Sequence, residues 1–309
     1  MMMSKQIRNL DWDKLKSFYY VAKSGSINNT AQALHITQPS ISRHISLLEG
    51  ELGHKVFFRS SKGVMLTEEG EILFRAICKV FADLEQAQTL INDLGKKPQG
   101  QLRIASTVGF AELYLANYLE GFITAYPDID LSLYATDVTP DLSMREAEAI
   151  IHPKLPESAE LIQIPLISFP LKLYASPGYL KEYGVPKTVE ELSNHRLIAF
   201  GGYYTHPFNF MDWHLTAGMP LGQMREPYIQ ANLAPIRCKL AQANLGIICL
   251  PTYHPGLKEM NLVEVLPDVQ GPTLDQYFIF SRQFKDSKRI NIFINYITEC
   301  FKRDYNLTH

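Results

Sequence analysis

No run of apolar residues in the 309-residue sequence approaches the roughly 20 needed to cross a bilayer, which excludes a membrane-spanning helix. The stretch MMMSKQIRNLDWDK lacks the apolar core of a secretion signal, so the chain is expected to stay in the cytoplasm. Cysteine is scarce. Cys78, Cys238, Cys249 and Cys300 are scattered without the paired spacing of a zinc site or a redox dithiol, and read as packing thiols; a redox pair of Cys238 and Cys249 is the alternative. Also missing are a G-x-S-x-G nucleophile elbow, a G-x-G-x-x-G dinucleotide loop, a phosphate-binding loop and an H-E-x-x-H metal motif. Enzymatic turnover therefore has little support, and the residues ask for neither a metal nor a cofactor.

The length exceeds what one hydrophobic core usually serves, so two or more domains are expected. The net charge of -2 conceals an asymmetry: Met1 to Leu66 carry nine Lys and Arg against four Asp and Glu, giving +5, and the remainder carries -7. Such a division suits a chain whose basic end approaches a polyanion.

That basic end has the rhythm of three helices. Leu15, Phe18, Tyr19 and Ala22 make one apolar stripe ending near Ser24-Gly25. Ser26 is an N-cap for a short helix through Ala31 and Leu34, and His35-Ile36-Thr37 turns the chain. Thr37 then caps a third helix that tolerates Pro39 in its first turn. Along it Ile41, Ile45, Leu48 and Leu52 face a core, leaving Pro39, Ser42, Arg43 and Ser46 on the free side with Gln38 at the leading end. Gln and Arg can pair with base edges in a major groove, and Ser26, Thr37, Ser40 and the other hydroxyls can reach phosphates; a plain solvated face is the alternative for each residue. Val56 to Arg59 and Val64 to Leu66 read as two strands around Ser60-Ser61-Lys62-Gly63, a wing whose Arg59 and Lys62 meet phosphate or enter a minor groove.

After Thr67, a helix cap, Leu73, Ile77, Val80, Leu84, Ala87, Ile91 and Leu94 follow alternating steps of four and three, the seam of two helices packed side by side. A dimer is the reading; a helix laid on its own domain is the alternative, disfavoured by the linker Gly95-Lys96-Lys97-Pro98-Gln99-Gly100. Beyond it, strand-like runs at Leu102 to Ala105, Ile129 to Tyr134, Leu171 to Ala175, Leu197 to Phe200, Ile247 to Leu250 and Tyr277 to Phe280 alternate with helical segments at Leu113 to Tyr126, Ala234 to Ala243 and Asn291 to Arg303. The chain is therefore α/β overall.

The stretch FYYVAKSGSINNTAQALHITQPSISRHISLLEGELGHKVFFRSSKGVMLTEEG closely resembles the head of LysR-type transcriptional regulators. GQLRIAS, YPDIDLSL, REAEAII, LYASPGYL, LSNHRLIAF and NLGIICLP resemble their effector domain, so the likeness spans nearly the whole chain. The resemblance implies a winged helix-turn-helix at 1–66, a linker and dimerisation helix at 67–97, and a two-lobed effector domain like a periplasmic binding protein at 98–309. Lobe I would be 98–168 with 272–309, and lobe II 169–271. It implies that Gln38, Pro39, Ser42 and Arg43 are recognition contacts, with Arg59 and Lys62 on the wing. Small ligands in such clefts are held by polar groups at strand ends, which with the family alignment selects Ser106, Thr107, Thr136, His152, Gly202, Tyr203 and Asn232. For His152 a packed histidine is the alternative. The expected partners are double-stranded operator DNA, a second copy or a pair of dimers, a small-molecule effector and, at the promoter, RNA polymerase.

Overall fold

The computed structural model describes residues 11–60, 63–93, 97–139, 142, 147–201, 209–257 and 259–305. It divides into two compact units whose boundary along the main chain falls between Leu90 and Ile91.

The first unit is assembled by its caps. Asp11 accepts the Asp13 N–H at 2.9 Å to open α1 (Trp12–Ser24), and Gly25 closes it at φ +63°. Ser26 accepts the Asn29 N–H at 3.3 Å to start α2 (Ile27–Leu34). The buried Thr30 donates to Ser26 O at 2.9 Å, tying this short helix to its own cap. Thr37 opens α3 (Gln38–Leu52) by accepting the Ser40 N–H at 3.4 Å. β1 (Phe57–Ser60) and β2 (Gly63–Leu66) form an antiparallel hairpin in which Phe57 faces Leu66. The hairpin docks by donating Val64 N–H to Gly25 O at 3.1 Å, an approach that excludes a side chain at Gly63, whose Cβ would lie 2.8 Å from that oxygen.

Glu49 fastens α3 to the hairpin. Its buried carboxylate takes Lys55 Nζ at 2.6 Å and the Val56 N–H at 3.1 Å. Glu49→Ala should lower the unfolding free energy of this unit by about 1–3 kcal/mol, because the Val56 N–H loses its acceptor in a buried place. Urea denaturation checks this, and a change within error would show that solvent replaces the carboxylate at no cost.

The helix α4 (Glu68–Asp93) begins where Thr67 Oγ1 accepts the Gly70 N–H at 3.0 Å. Its first half belongs to the head. Phe81 meets Trp12 and Tyr19 at ring-centroid distances of 5.0 and 4.7 Å, Phe74 lies 5.8 Å from Tyr19, and Ile77 joins Phe18, Val21, Ile41, Ile45, Leu48 and Val56 in one core.

In chain order the second unit contains β3 (Gly100–Ser106), α5 (Val108–Phe110), a π turn (Ala111–Leu115), α6 (Ala116–Ala125), β4 (Ile129–Ala135), β5 (Ala149–His152), β6 (Leu161–Ala175), α7 (Pro177–Tyr183), β7 (Leu197–Ala199), α8 (Trp213–Thr216), β8 (Ile229–Gln230), α9 (Ala234–Gln242), β9 (Ile247–Pro251), β10 (Val263–Val265), β11 (Thr273–Ser281) and α10 (Lys288–Tyr305). The strands lie in the order β4-β3-β5-β11-β6-β9-β7-β8, with β10 on β6. β6 serves two half-sheets: Leu161 to Pro170 pair with β11, and Leu171 to Tyr174 pair with β9. Parallel β3, β4 and β5 complete the first half, parallel β7, β8 and β9 the second. α10 returns to the first, where Phe293 meets Phe122 at 5.0 Å and Phe301 meets Tyr118 at 5.3 Å.

Each of the six strand-like runs falls within or overlaps an observed strand, but several elements escaped the sequence reading. β5 is buried at every position and so has no alternation. The first ten residues of β6 contain Pro165 and Pro170, which read as strand breakers although both lie in the β11 ladder register. Among the described residues no helix is long and apolar enough to cross a membrane.

Candidate functional site

Two surfaces carry the residues singled out from the sequence. On the head, α3 turns Ile41, Ile45 and Leu48 inward, which leaves Gln38, Pro39, Arg43 and Ser46 exposed and Ser42 half-buried. Ser42 and Ser46 line a concavity with Lys55, Phe57 and Val64, so the helix face and the base of the hairpin form one surface. Thr37 and Ser40 join hydroxyl to hydroxyl at 2.9 Å at the start of α3, and half-buried Ser26 caps α2, the preceding helix. Arg59 lies in β1 opposite Val64, and Lys62 lies outside the described residues. No carboxylate stands in the first turn of α3, leaving its positively polarised N-terminus unopposed by an acid of its own.

The seam along α4 divides in two. Ile77 is 5% exposed and consumed inside the head, and half-buried Leu73 packs against the same core. This corrects the reading of the full run as a single interface. Val80, Leu84 and Ile91 are 46%, 51% and 66% exposed, and Ala87 is exposed between them, four residues on one helical stripe. Leu94 lies outside the described residues.

The second surface is a cleft of about 660 Å3, counting the part open to solvent. Thr107, Phe110, Tyr114 and Asp137 come from the first half-sheet and its helices; Phe200, Asn232, Arg237, Leu250 and His254 come from the second; Leu274 and Gln276 come from β11. Thr107 and Asn232 are therefore brought together as expected neighbours of a ligand. Ser106, Thr136 and His152 are not among the lining residues. Thr136 Oγ1 is occupied by its own turn, accepting the Val138 N–H at 3.1 Å. His152 is a packed histidine: Nδ1 bonds to Pro153 O at 2.9 Å, Nε2 lies 3.1 Å from Thr139 Oγ1, and burial lowers its pKa. Gly202 and Tyr203 lie outside the described residues.

Polar groups that the sequence reading did not select line the same cleft. Gln276 is 1% exposed, and neither its amide oxygen nor its nitrogen has a partner among the described residues. Tyr114 Oη is likewise unpartnered, its ring stacked 4.8 Å from Phe169. Arg237 is 2% exposed, with its guanidinium 4.6 Å over the Phe200 ring and Nη1 donating to Ala231 O at 2.8 Å. The signal for Gln276 was its inward register on a strand whose neighbours Leu274 and Phe278 are core residues. Among the described residues no group of His, Cys, Asp and Glu could hold a metal ion. All four cysteines are free and buried, and burial pushes the Cys238 and Cys249 thiols up to about 11 and about 12, opposite to what a reactive thiolate needs.

Comparison with known proteins bears on both surfaces. Residues 12–71 match the model described as bacterial regulatory helix-turn-helix protein, lysR family, and residues 95–302 match the LysR substrate binding domain. The HTH-type transcriptional regulator YhjC of Escherichia coli K12 is 27% identical over 299 residues, covering 93% of this chain and 97% of that protein. The HTH-type transcriptional regulator CrgA of Neisseria meningitidis serogroup C is 26% identical over 293 residues, covering 93% and 96%. The crystal structure of ArgP from Mycobacterium tuberculosis shares the fold at a TM-score of 0.68 and 17% identity, covering 94% of this chain and 97% of that one.

Proposed function

Since the chain belongs to the LysR family of bacterial transcriptional regulators, which join a helix-turn-helix DNA-binding domain to an effector-binding domain, we propose that α3 reads an operator in the major groove while the cleft holds the effector that adjusts this binding. The protein is a regulator and not an enzyme. Residues 1–66 act as the reading head, 67–97 as the connector and 98–309 as the sensor, with lobe I at 98–168 and 272–309 and lobe II at 169–271. The observation that carries the reading is the free face of α3, where Gln38 and Arg43 stand exposed on a helix whose opposite face is locked in the core. Arg43 pairs with a base, Gln38 and Pro39 lie along the groove floor, and Thr37, Ser40, Ser42 and Ser46 meet phosphates or base edges. Ser26 adds a phosphate contact from α2, and Arg59 and Lys62 hold the wing against the backbone.

Two copies pair through the exposed part of α4, and two such dimers form the tetramer. A dimer places its heads on half-sites about one helical turn apart or further. The effector acts by binding one arrangement of the sensor more tightly than another, since only differential affinity can move the equilibrium. That shift alters access of RNA polymerase to the promoter. Thr107 and Asn232 contact the effector. The protein works in the cytoplasm, where its operator lies.

Arg43→Ala should weaken specific operator binding by about 1–3 kcal/mol while leaving binding to unrelated DNA nearly unchanged. Mobility-shift titrations at two salt concentrations check this, because a residue that only neutralises phosphate weakens every sequence alike and lowers the salt slope. Unchanged operator affinity would remove Arg43 from the contacts.

A further inference from the structure

Among the described residues the cleft contains more hydrogen-bonding capacity than the protein uses, and its one buried charge is the guanidinium of Arg237. Arg237 sits on α9 with its guanidinium buried, and no carboxylate among the described residues lies within ion-pair distance of it. Asp212, whose charge acts on Arg237 at longer range, is engaged by the Phe200 and Gly201 N–H groups at 2.6 and 3.2 Å. Among the described residues this buried cation has one backbone carbonyl and one aromatic face but no carboxylate counter-ion, and a buried charge is costly unless it is paired. The amide of Gln276 and the hydroxyl of Tyr114 are buried without partners, and neither ring nitrogen of His254 makes a well-aligned hydrogen bond to a described residue. Burial holds the His254 ring below its ordinary pKa, so near neutral pH it serves as an uncharged partner and not as a second cation.

The acids of the cleft are disposed differently. Asp137 is half-exposed and already accepts the Val108 N–H at 3.1 Å, and Glu112 is exposed. Neither is a buried carboxylate waiting for a cation. The remaining lining is largely apolar, including Phe110, Phe200, Met211, Leu233, Leu250 and Leu274. A carboxylate accepts hydrogen bonds only, and it matches a guanidinium fork together with neutral N–H and O–H donors.

We propose that the effector is a small monocarboxylate with an apolar body, its carboxylate held by Arg237 with help from Gln276 or His254, and its body against Phe110, Phe200 and Met211. This rests on the cleft being the effector site. The charge-bearing end faces the lobe that supplies α9, and the body fills the space between the half-sheets.

Isothermal titration of the full-length protein tests the assignment. The probes are benzoate, 3-phenylpropanoate and 4-methylpentanoate, with 3-phenylpropanamide and phenethylamine as matched neutral and cationic molecules. At least one acid should bind at least ten-fold more tightly than the amide or the amine, and Arg237→Gln should remove at least ten-fold of that affinity. Should Arg237→Gln fail to fold, His254→Phe and Gln276→Leu take its place: each exchanges unpartnered polar atoms for apolar ones, so each should keep or raise the Tm while weakening the acid. Gly109→Trp locates the site, because Gly109 lines the cleft and a Cβ there meets nothing within 4 Å. It should abolish acid binding. If the amide or amine binds as tightly as the acid, and Gly109→Trp blocks it, the carboxylate assignment is overturned while the cleft stands. Acid binding that survives both Gly109→Trp and Arg237→Gln overturns the cleft and the carboxylate together. Failure of all three acids to bind overturns the proposal.

Discussion

Leu84→Glu should convert the paired protein into single copies and weaken operator binding by about 100-fold or more, the share of affinity that a second tethered head contributes. Leu84 is half-exposed at the middle of the stripe Val80, Leu84, Ala87 and Ile91. Exposed aliphatics at steps of four, three and four on one helix present an apolar edge, which a second copy would cover in the proposed dimer. Across a two-fold axis the same residue meets itself or its near neighbour, so a glutamate there places like charges together in a desolvated seam. The head is spared, because α4 is held to it by Phe74, Ile77 and Phe81, three to ten residues earlier. Sedimentation equilibrium and mobility shift read the two effects, with circular dichroism confirming that the helices persist. Dimers of undiminished stability with full operator affinity would move the principal interface away from this helix.

Glu148→Ala should cost the second unit about 3–5 kcal/mol, the penalty for stripping one partner from a buried ion pair. Glu148 lies just before β5, and its carboxylate does two things at once. Oε1 pairs with Arg289 Nη2 at 3.4 Å at the start of α10, and Oε2 accepts the Arg103 N–H of β3 at 3.0 Å. The Glu148 backbone N–H meanwhile donates to Arg103 O at 2.8 Å. The alanine variant would leave Arg289 charged and buried beside a strand that has lost an acceptor. Because β3 ends at Ser106, immediately before Thr107 in the cleft wall, the loss should also weaken any ligand held there. Urea unfolding of the full chain, followed as two transitions if the units melt separately, measures the first effect. Glu148→Gln keeps an acceptor for the Arg103 N–H and should lose less. A cost for Glu148→Ala below about 1 kcal/mol would mean that water reaches Arg289.

Where local chemistry decides structure, the sequence was legible. Ser26 and Thr37 are found capping the helices they were expected to cap, and the apolar stripe of α3 fixes which of its residues stay free. The seam was half legible. Periodicity shows that Leu73, Ile77, Val80, Leu84 and Ile91 share a face, but cannot say which neighbour covers each turn, and the head itself covers the first two. In the cleft, Thr107 and Asn232 follow strands of opposite half-sheets and line it, whereas His152 sits at the end of β5 with both ring nitrogens engaged nearby. Arg237 was hidden for a different reason. An arginine inside an amphipathic helix reads as a solvent-facing residue, and only the packing of α9 reveals that it lies with Cys238 and Ala241 on the buried side.

The aromatic contacts of Trp12, Tyr19, Phe74 and Phe81 join α1 to the first half of α4, and Ile77 ties the same stretch to Ile41, Ile45 and Leu48 of the reading helix α3. The 26 residues of α4 rise about 39 Å, so tilting the far end by about 5° swings the near end by about 3 Å. That is close to the rise of one base step, about 3.4 Å. In the proposed regulator, a lever of this length would turn a tilt of a few degrees into a displacement of about one base step at the head.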